Sequence, residues 1–529
     1  MIELGSLSIW LALLLALWAL VAGAGGVVRQ RDDLAESASR ALVAAGFFVT
    51  LAFAGLLDAL LGADLSVRYA ARHVTQILPG AWRIAALWAG VEGRVLTWAM
   101  FTVIVAGALA VTVRRRGAAG RGLVSTLMAA ALVIAVSLAA IGANAFVRLT
   151  VAPIEGAGLL PMLRDPGFLV APPLLLLGCA LTLPMGAIAG AAMVARRLTR
   201  DDIRALRAWA QVAFTVLTLG LAAWLWWNAR LSGDRLGWMA DALTVPVFAP
   251  WLLLVIALHA LARADSARDH VSGVAKLALV LAAAVPLLTL LVPIAPLSPV
   301  AEQATRFAGW TQLIAWLAVS LCIVVLAFAV ARIHLDPPSA ESRVAASMPA
   351  DFRRVAAPLA HAGFVIVLVA IAGSLFRSDQ ELVLRVGEPA SVRDPYGLHW
   401  EFVAQGISRV EAADGGVLAL GVEVKQGSGA PALVSSEARA WVDARGMPIG
   451  EPYVATGVHG SALEQVRVRL VEVIDEGRSR VQVNFVPLAW LTWLGAACMV
   501  GAGALAMWPG ARDRVREHEV STLAPDDAP

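Results

Sequence analysis

Of the eight histidines in this 529-residue chain, only His259 and His361 fall inside long apolar runs. An ionisable side chain at such a position is a functional candidate by default. His259 comes shortly before Arg263 and His361 shortly after Arg354. At roughly 1.5 Å of rise per residue, the two lie at similar depth if those arginines mark one membrane face. Two imidazoles at one depth on different helices could ligate haem iron from both sides. The alternative is that each snorkels to the surface or bonds a neighbouring helix, and depth alone does not choose. The other histidines fall in loops or the tail: His270, His334 and His518 towards one face, His73, His399 and His459 towards the other.

A second stretch, DPGFLVAPPLLLLG at 165–178, combines turn chemistry with prolines placed just inside an apolar run. Proline is tolerated in a first helical turn, where backbone N–H groups have no intrahelical partner. The stretch therefore predicts a loop folding onto a helix that begins at a surface. Apart from Asp165 it holds no group able to take a proton, bind a metal or attack a substrate. It is either a docking loop or a site without its active group.

The elements that must position these residues follow from composition. The chain is 59% hydrophobic and 15% charged, with 18 tryptophans and 3 tyrosines, against about 25% charge in soluble domains. This is the composition of a membrane protein. The net charge of +3 is too small to suggest nucleic acid, and no basic patch is interleaved with aromatics. Cys179, Cys322 and Cys498 lie far apart in apolar runs, with no CxxC or CxxCH, and read as small buried hydrophobes. No P-loop, GxGxxG after a strand, HExxH or Ser/His/Asp order is visible. Asp58 is the only carboxylate well inside a span, which argues against a transporter.

About twenty apolar residues cross a bilayer. On that measure eleven spans are predicted, near 7–27, 40–61, 94–113, 122–146, 168–194, 207–228, 244–262, 273–293, 309–331, 356–376 and 486–508. The first run has neither a basic leader nor a small-residue cleavage site, so a retained helix is expected. Alternate loops are rich in arginine, among them Arg114, Arg115 and Arg116, then Arg196 and Arg197, then Arg353 and Arg354. These loops are expected in the cytoplasm, with the N-terminus outside and the C-terminus inside. The opposite side then carries the soluble insert 377–485, whose apolar and polar residues alternate between Gly and Asp turns. That pattern predicts a small antiparallel β domain, followed by the last helix, 486–508, and a polar tail, 509–529.

At this point the chain resembles a known family. The stretch SVRYAARHVTQILPGAWRIAALWAGVEGRVLTW (66–98) is similar to one ending WGGHEGSLLLW, with Trp88, Gly90, Glu92 and Gly93 in place and Val91 where histidine or glutamine is usual. NAFVRLTVAPIEGAGLLPMLRDPG (144–167) matches NPFERL…PAP…DG…LNPLLQDPG. PLAHAGFVIVLVAIAG (358–373) resembles LAHLGVAVLVIGIA, and NFVPLAWLTWLGAACMVGAGALAM (484–507) resembles the segment returning the chain to the membrane after a β insert. The family is CcmF, the haem lyase subunit of cytochrome c maturation. The resemblance implies a polytopic α-helical membrane protein with a periplasmic β domain before its last helix, in the bacterial inner membrane. Residues 1–376 would be the haem-handling region.

The family also shows where this chain departs. Its DPG loop leads into HPPLL, whose histidine is held to ligate the haem brought by a haem chaperone; here Ala171 stands in that place. Its tryptophan-rich WWD segment corresponds to residues 229–252, including GDRLGWMADALTVPVFAPWL (233–252). Trp238, Asp241, Phe248, Pro250 and Trp251 are kept there, and most other tryptophans are lost. The family's second external histidine has no counterpart in 283–306. The external haem site thus reads as dismantled, while His259 and His361 match the two histidines that the family implies for a resident haem b. Trp226, Trp227 and Trp238 read either as a haem platform or as an interfacial aromatic belt. Glu92 reads either as a functional carboxylate or as one stabilised by a helix N-terminus.

The resemblance implies a component of cytochrome c maturation that helps attach haem to apocytochrome c, in company with the haem chaperone and other maturation subunits. The other readings are a non-catalytic paralogue that keeps haem b for electron transfer or scaffolding, and a structural protein without haem.

Overall fold

The computed structural model describes residues 1–112, 118–232, 244–266, 273–290, 293 and 353–507, less 375, 395–396, 413, 451 and 461–463. Its first unit opens with a hairpin of two long helices, α1 (Ile2–Arg29) and α2 (Asp32–Leu61). The buried faces of both are rich in small residues, among them Ala12, Ala16, Ala19 and Gly23 on α1 and Ala38, Ala41, Ala45 and Ala52 on α2. In lipid, where apolar burial no longer drives helices together, small side chains let backbones approach and gain van der Waals contact. Short helices α3 (Arg68–His73) and α4 (Gly80–Ala85) and a 3-10 turn (Ala86–Trp88) lead into α5 (Val91–Thr112). α6 (Ala118–Ser137) ends in a π turn, Leu138–Gly142.

α7 (Pro166–Ala180) and α8 (Leu183–Val194) occupy the single span expected at 168–194. The span holds, with a break in its helix at Leu181–Thr182. Pro184 brings no N–H to the ladder, and the Thr182 hydroxyl bonds the Cys179 carbonyl at 2.7 Å and Thr289 Oγ1 at 3.2 Å. α9 (Arg200–Ser232), α10 (Thr244–Ser266) and α11 (Gly273–Thr289) are the remaining described helices of this unit, α9 packing on α7 and on α10.

The same unit contains most of the β insert. Nine strands are described: β1 (Ser378–Arg385), β2 (Pro389–Arg393), β3 (His399–Ala412), β4 (Gly415–Gln426), β5 (Ala432–Trp441), β6 (Tyr453–Ala455), β7 (Gly457–Gly460), β8 (Glu464–Asp475) and β9 (Arg478–Pro487). They form a five-stranded sheet, β2-β3-β4-β5-β6, and a four-stranded sheet, β1-β9-β8-β7. Alternate residues of both sheets meet in a core of Trp400, Phe402, Leu420, Val422, Val466, Val468, Val481, Val483 and Phe485, the period-2 burial that the alternating sequence requires.

The second unit, taken alone, is a helical hairpin of α12 (Arg353–Ser374) and α13 (Leu491–Met507). Its crossing is close: a side chain at Gly363 would meet the Gly495 carbonyl at 2.6 Å, and one at Gly495 the Gly363 carbonyl at 2.5 Å.

Among the described residues seven helical segments are long and apolar enough to cross a membrane, and Pro250–Arg263, Lys276–Leu287 and Leu491–Met507 are shorter apolar helices. The protein is polytopic, with a β domain before its final helix. The expected span 309–331 lies outside the described residues.

Candidate functional site

One end of the first unit gathers the DPG loop, the turn before α5, the end of α9 and the β domain. Trp88 is buried there, and its indole N–H donates to the Phe168 carbonyl at 2.8 Å, tying the turn to the start of α7. Phe168 stands between Trp88 and Trp227, with ring centroids 6.4 and 5.2 Å away. Trp227 packs against Gly167 so closely that an added Cβ would come within 2.3 Å of it. Its indole N–H is buried without a partner. Trp226 is partly exposed and carries the Arg230 guanidinium over its ring at 5.6 Å. Trp251 belongs to the helix core: its N–H donates to Thr218 at 2.9 Å, and its ring stacks on Phe214 and Phe248.

The WAGVEG stretch acquires a packing explanation. The Tyr69 hydroxyl donates to the Ala86 carbonyl at 2.7 Å and accepts from Gly90 N–H at 3.0 Å. A Cβ on Gly93 would fall 1.9 Å from the Leu87 carbonyl and 2.3 Å from that hydroxyl. The glycines therefore make room for a buried phenol, whose ionisation burial pushes well up. Glu92, in the first turn of α5, faces Arg72 at 3.9 Å, as a helix-start carboxylate with a basic neighbour would. Ala171 is completely buried in α7 and presents only a methyl group where the family carries histidine.

The DPG loop itself docks onto the rest of the unit. Asp165 caps α7 by accepting from Gly167 N–H at 2.9 Å, and its second oxygen accepts from Arg230 at 3.0 Å. Arg164 donates through Nη1 to Asp414, in the β3–β4 turn, at 2.9 Å and lies over the Trp441 ring at 4.5 Å. Tyr453 donates to the Arg230 carbonyl at 2.9 Å, binding the β domain to the end of α9. The stretch 165–178 is thus fastened at its start to the end of α9 through Asp165, while Ala171 further along offers no ligand group. Sequence reasoning missed Arg164, Arg230, Asp414, Trp441 and Tyr453. Only Asp165, a capping residue before proline, carried a local signal. Burial draws the Arg164 guanidinium below its usual pKa, and Asp414 partly offsets this.

At the sequence-selected histidines, His259 Nδ1 lies 2.8 Å from the Val255 carbonyl and His361 Nδ1 lies 2.6 Å from the Ala357 carbonyl. A carbonyl only accepts, so Nδ1 carries the proton in each neutral ring and Nε2 holds the lone pair. This tautomer is the one an iron or zinc ligand needs, with the bond to Nδ1–H fixing the ring. His73 makes the same bond to Tyr69 at 2.8 Å, yet its Nε2 is turned onto Gly90, where an added Cβ would stand 3.0 Å away. His259 and His361 belong to different units. Trp238 and Asp241 lie outside the described residues. Among the described residues no three His, Cys, Asp or Glu side chains group as a metal site.

No protein-family model matches the chain. Over 265 residues it is 31% identical to the cytochrome c-type biogenesis protein CycK of Rhizobium meliloti, a match covering 49% of this chain and 38% of the relative. It is 33% identical over 271 residues to cytochrome c-type biogenesis protein CcmF of Pseudomonas aeruginosa, covering 49% and 40%. To CcmF of Escherichia coli it is 30% identical over 328 residues, covering 61% and 44%. The chain thus spans about two fifths of the length of the curated relatives it matches. A solved structure of the cytochrome c haem lyase CcmF aligns with a TM-score of 0.73 over 96% of this chain and 98% of that one, at 19% identity, which establishes the shared fold. The resemblance read from the sequence motifs is borne out.

Proposed function

Because the chain is of the CcmF type in sequence and fold, we propose that it serves cytochrome c maturation as a divergent haem lyase subunit with a haem b held by His259 and His361. The observation that supports the cofactor reading is placement: each imidazole sits in an apolar helix, its ring held with Nδ1 within hydrogen-bond distance of the carbonyl four residues back. Haem bound there would supply an electron path towards the iron of the haem being attached. The chain's own contribution is to hold and orient, since the bond-forming thiols belong to the CxxCH motif of apocytochrome c. With the arginine-rich loops in the cytoplasm, the β domain and the DPG loop face the periplasm, where apocytochrome c and a haem chaperone would approach.

A second reading has its own observation. Ala171 is fully buried and offers no ligand, so the chain would act as a haem b electron-transfer or scaffold subunit beside a complete lyase. Absorption spectra and pyridine haemochrome assays on the detergent-purified protein test the cofactor. The expected result is a reduced b-type spectrum, lost in both His259→Ala and His361→Ala. A colourless wild-type protein, purified from haem-replete cells, would sink the assignment. Maturation of a reporter cytochrome c in cells lacking their own lyase subunit then separates the readings, because a non-catalytic paralogue would not restore it.

A further inference from the structure

Arg164 uses its guanidinium sparingly. The side chain has no exposed surface, yet its ion pair with Asp414 is single-pronged, from Nη1 to one carboxylate oxygen. Nε and Nη2 are buried and have no hydrogen-bond partner. Those two nitrogens form one edge of the guanidinium fork, the edge that holds a carboxylate through two parallel N–H···O bonds. Trp441 stacks beneath the plane at 4.5 Å and leaves that edge unused. Unsatisfied buried donors are costly, more so on a charged group, so this arrangement invites an acceptor. Arg164 immediately precedes the DPG loop, next to Asp165 and the aromatic row of Trp88, Phe168 and Trp227.

We propose that Arg164 is an exchangeable carboxylate site at this end of the molecule, occupied here by the chain's own Asp414 through one oxygen and able to take an external carboxylate on its Nε–Nη2 edge. Exchange requires the β3–β4 turn bearing Asp414 to withdraw, because the fork has no exposed surface with the turn in place. Asp414 is then an internal stand-in rather than a permanent partner. The fork suits a carboxylate or a phosphate, and the carboxylate class follows from Asp414, the group the guanidinium already holds. Its assignment as a propionate of haem rests on the proposed function.

Two measurements on the full chain in detergent test this separately from the haem reading. In Asp414→Ala, millimolar propionate should restore the thermal stability lost with the carboxylate, whereas propionamide should not, and Arg164→Met/Asp414→Ala should respond to neither. In fluorescence titrations, zinc protoporphyrin IX should bind the wild type about tenfold more tightly than its dimethyl ester. Arg164→Gln should abolish that preference, and Asp414→Asn should increase it. Rescue by propionate without porphyrin binding would keep the exchangeable site and remove haem as its ligand. Absence of rescue, or a diacid preference that survives Arg164→Gln, would overturn the proposal.

Discussion

At the residue scale, the glycines of WAGVEG make room for Tyr69, whose hydroxyl accepts from Gly90 N–H and lies where a side chain on Gly93 would fall. Gly93→Ala should therefore be severe. The new methyl would strike the Leu87 carbonyl, which is backbone and cannot rotate aside, and overpacking of this kind costs ~1–3 kcal/mol or more. Thermal denaturation should show the loss, and Tyr69→Phe in the same chain should not relieve it. His73 gives a pH prediction. Burial holds its pKa below the ordinary value of 6.5, against the raising influence of the Tyr69 carbonyl and Glu92 and with Arg72 and Arg94 adding to the depression. The unfolded chain then binds the proton first as pH falls, so stability attributable to this residue is full above about pH 6.5 and declines below it. His73→Phe, which keeps an aromatic ring beside Tyr69, should flatten that part of the melting-temperature profile. An unchanged slope would mean that His73 titrates normally.

At the scale of elements, apolar runs gave the helices because a bilayer imposes their length, and alternation gave the strands because one face of each sheet is buried. Hydropathy sums composition, however, and is blind to hydrogen-bond continuity. It therefore merged α7 and α8 across the break at Thr182, although Pro184 was in view. Nor could it find the joint between helices and strands, since Arg164 and Asp414 are 250 residues apart. The joint makes a prediction at this scale. Asp165 both caps α7 and accepts from Arg230, with a fully buried side chain. Asp165→Ala removes a cap worth about 1 kcal/mol and a charge-assisted bond worth ~1.5–3 kcal/mol, so a loss of several kcal/mol is expected. Asp165→Asn keeps an oxygen for the cap and should lose less. Tyr453→Phe removes one hydrogen bond to the end of α9 and should cost about 1 kcal/mol. Amide exchange near Arg230 should rise with it if Tyr453 fastens the β domain there.

At the scale of the whole molecule, the first unit joins helices packed through small residues to a β domain that has its own core and is fastened at the DPG loop and the end of α9. Such a design lets the helical part keep its fold while chemistry-bearing residues change, which is how a chain with Ala171 in place of histidine retains a CcmF-type fold with a TM-score of 0.73. Function then depends on which side of the membrane each end faces, and there charge is the only guide the chain offers. Arg196 and Arg197 lie in the turn after α8, at the opposite end of the α7–α8 span from the DPG loop, and arginine is retained on the cytoplasmic side. Val151, 83% exposed in the loop before α7, should then be periplasmic. With Cys179, Cys322 and Cys498 replaced, a cysteine at Val151 should react with a membrane-impermeant maleimide in intact cells, and one at Arg197 only after the membrane is opened. The reverse pattern would put the DPG loop and the β domain in the cytoplasm. No periplasmic haem donor or apocytochrome could then reach them, and the maturation role would fall even if His259 and His361 bind haem.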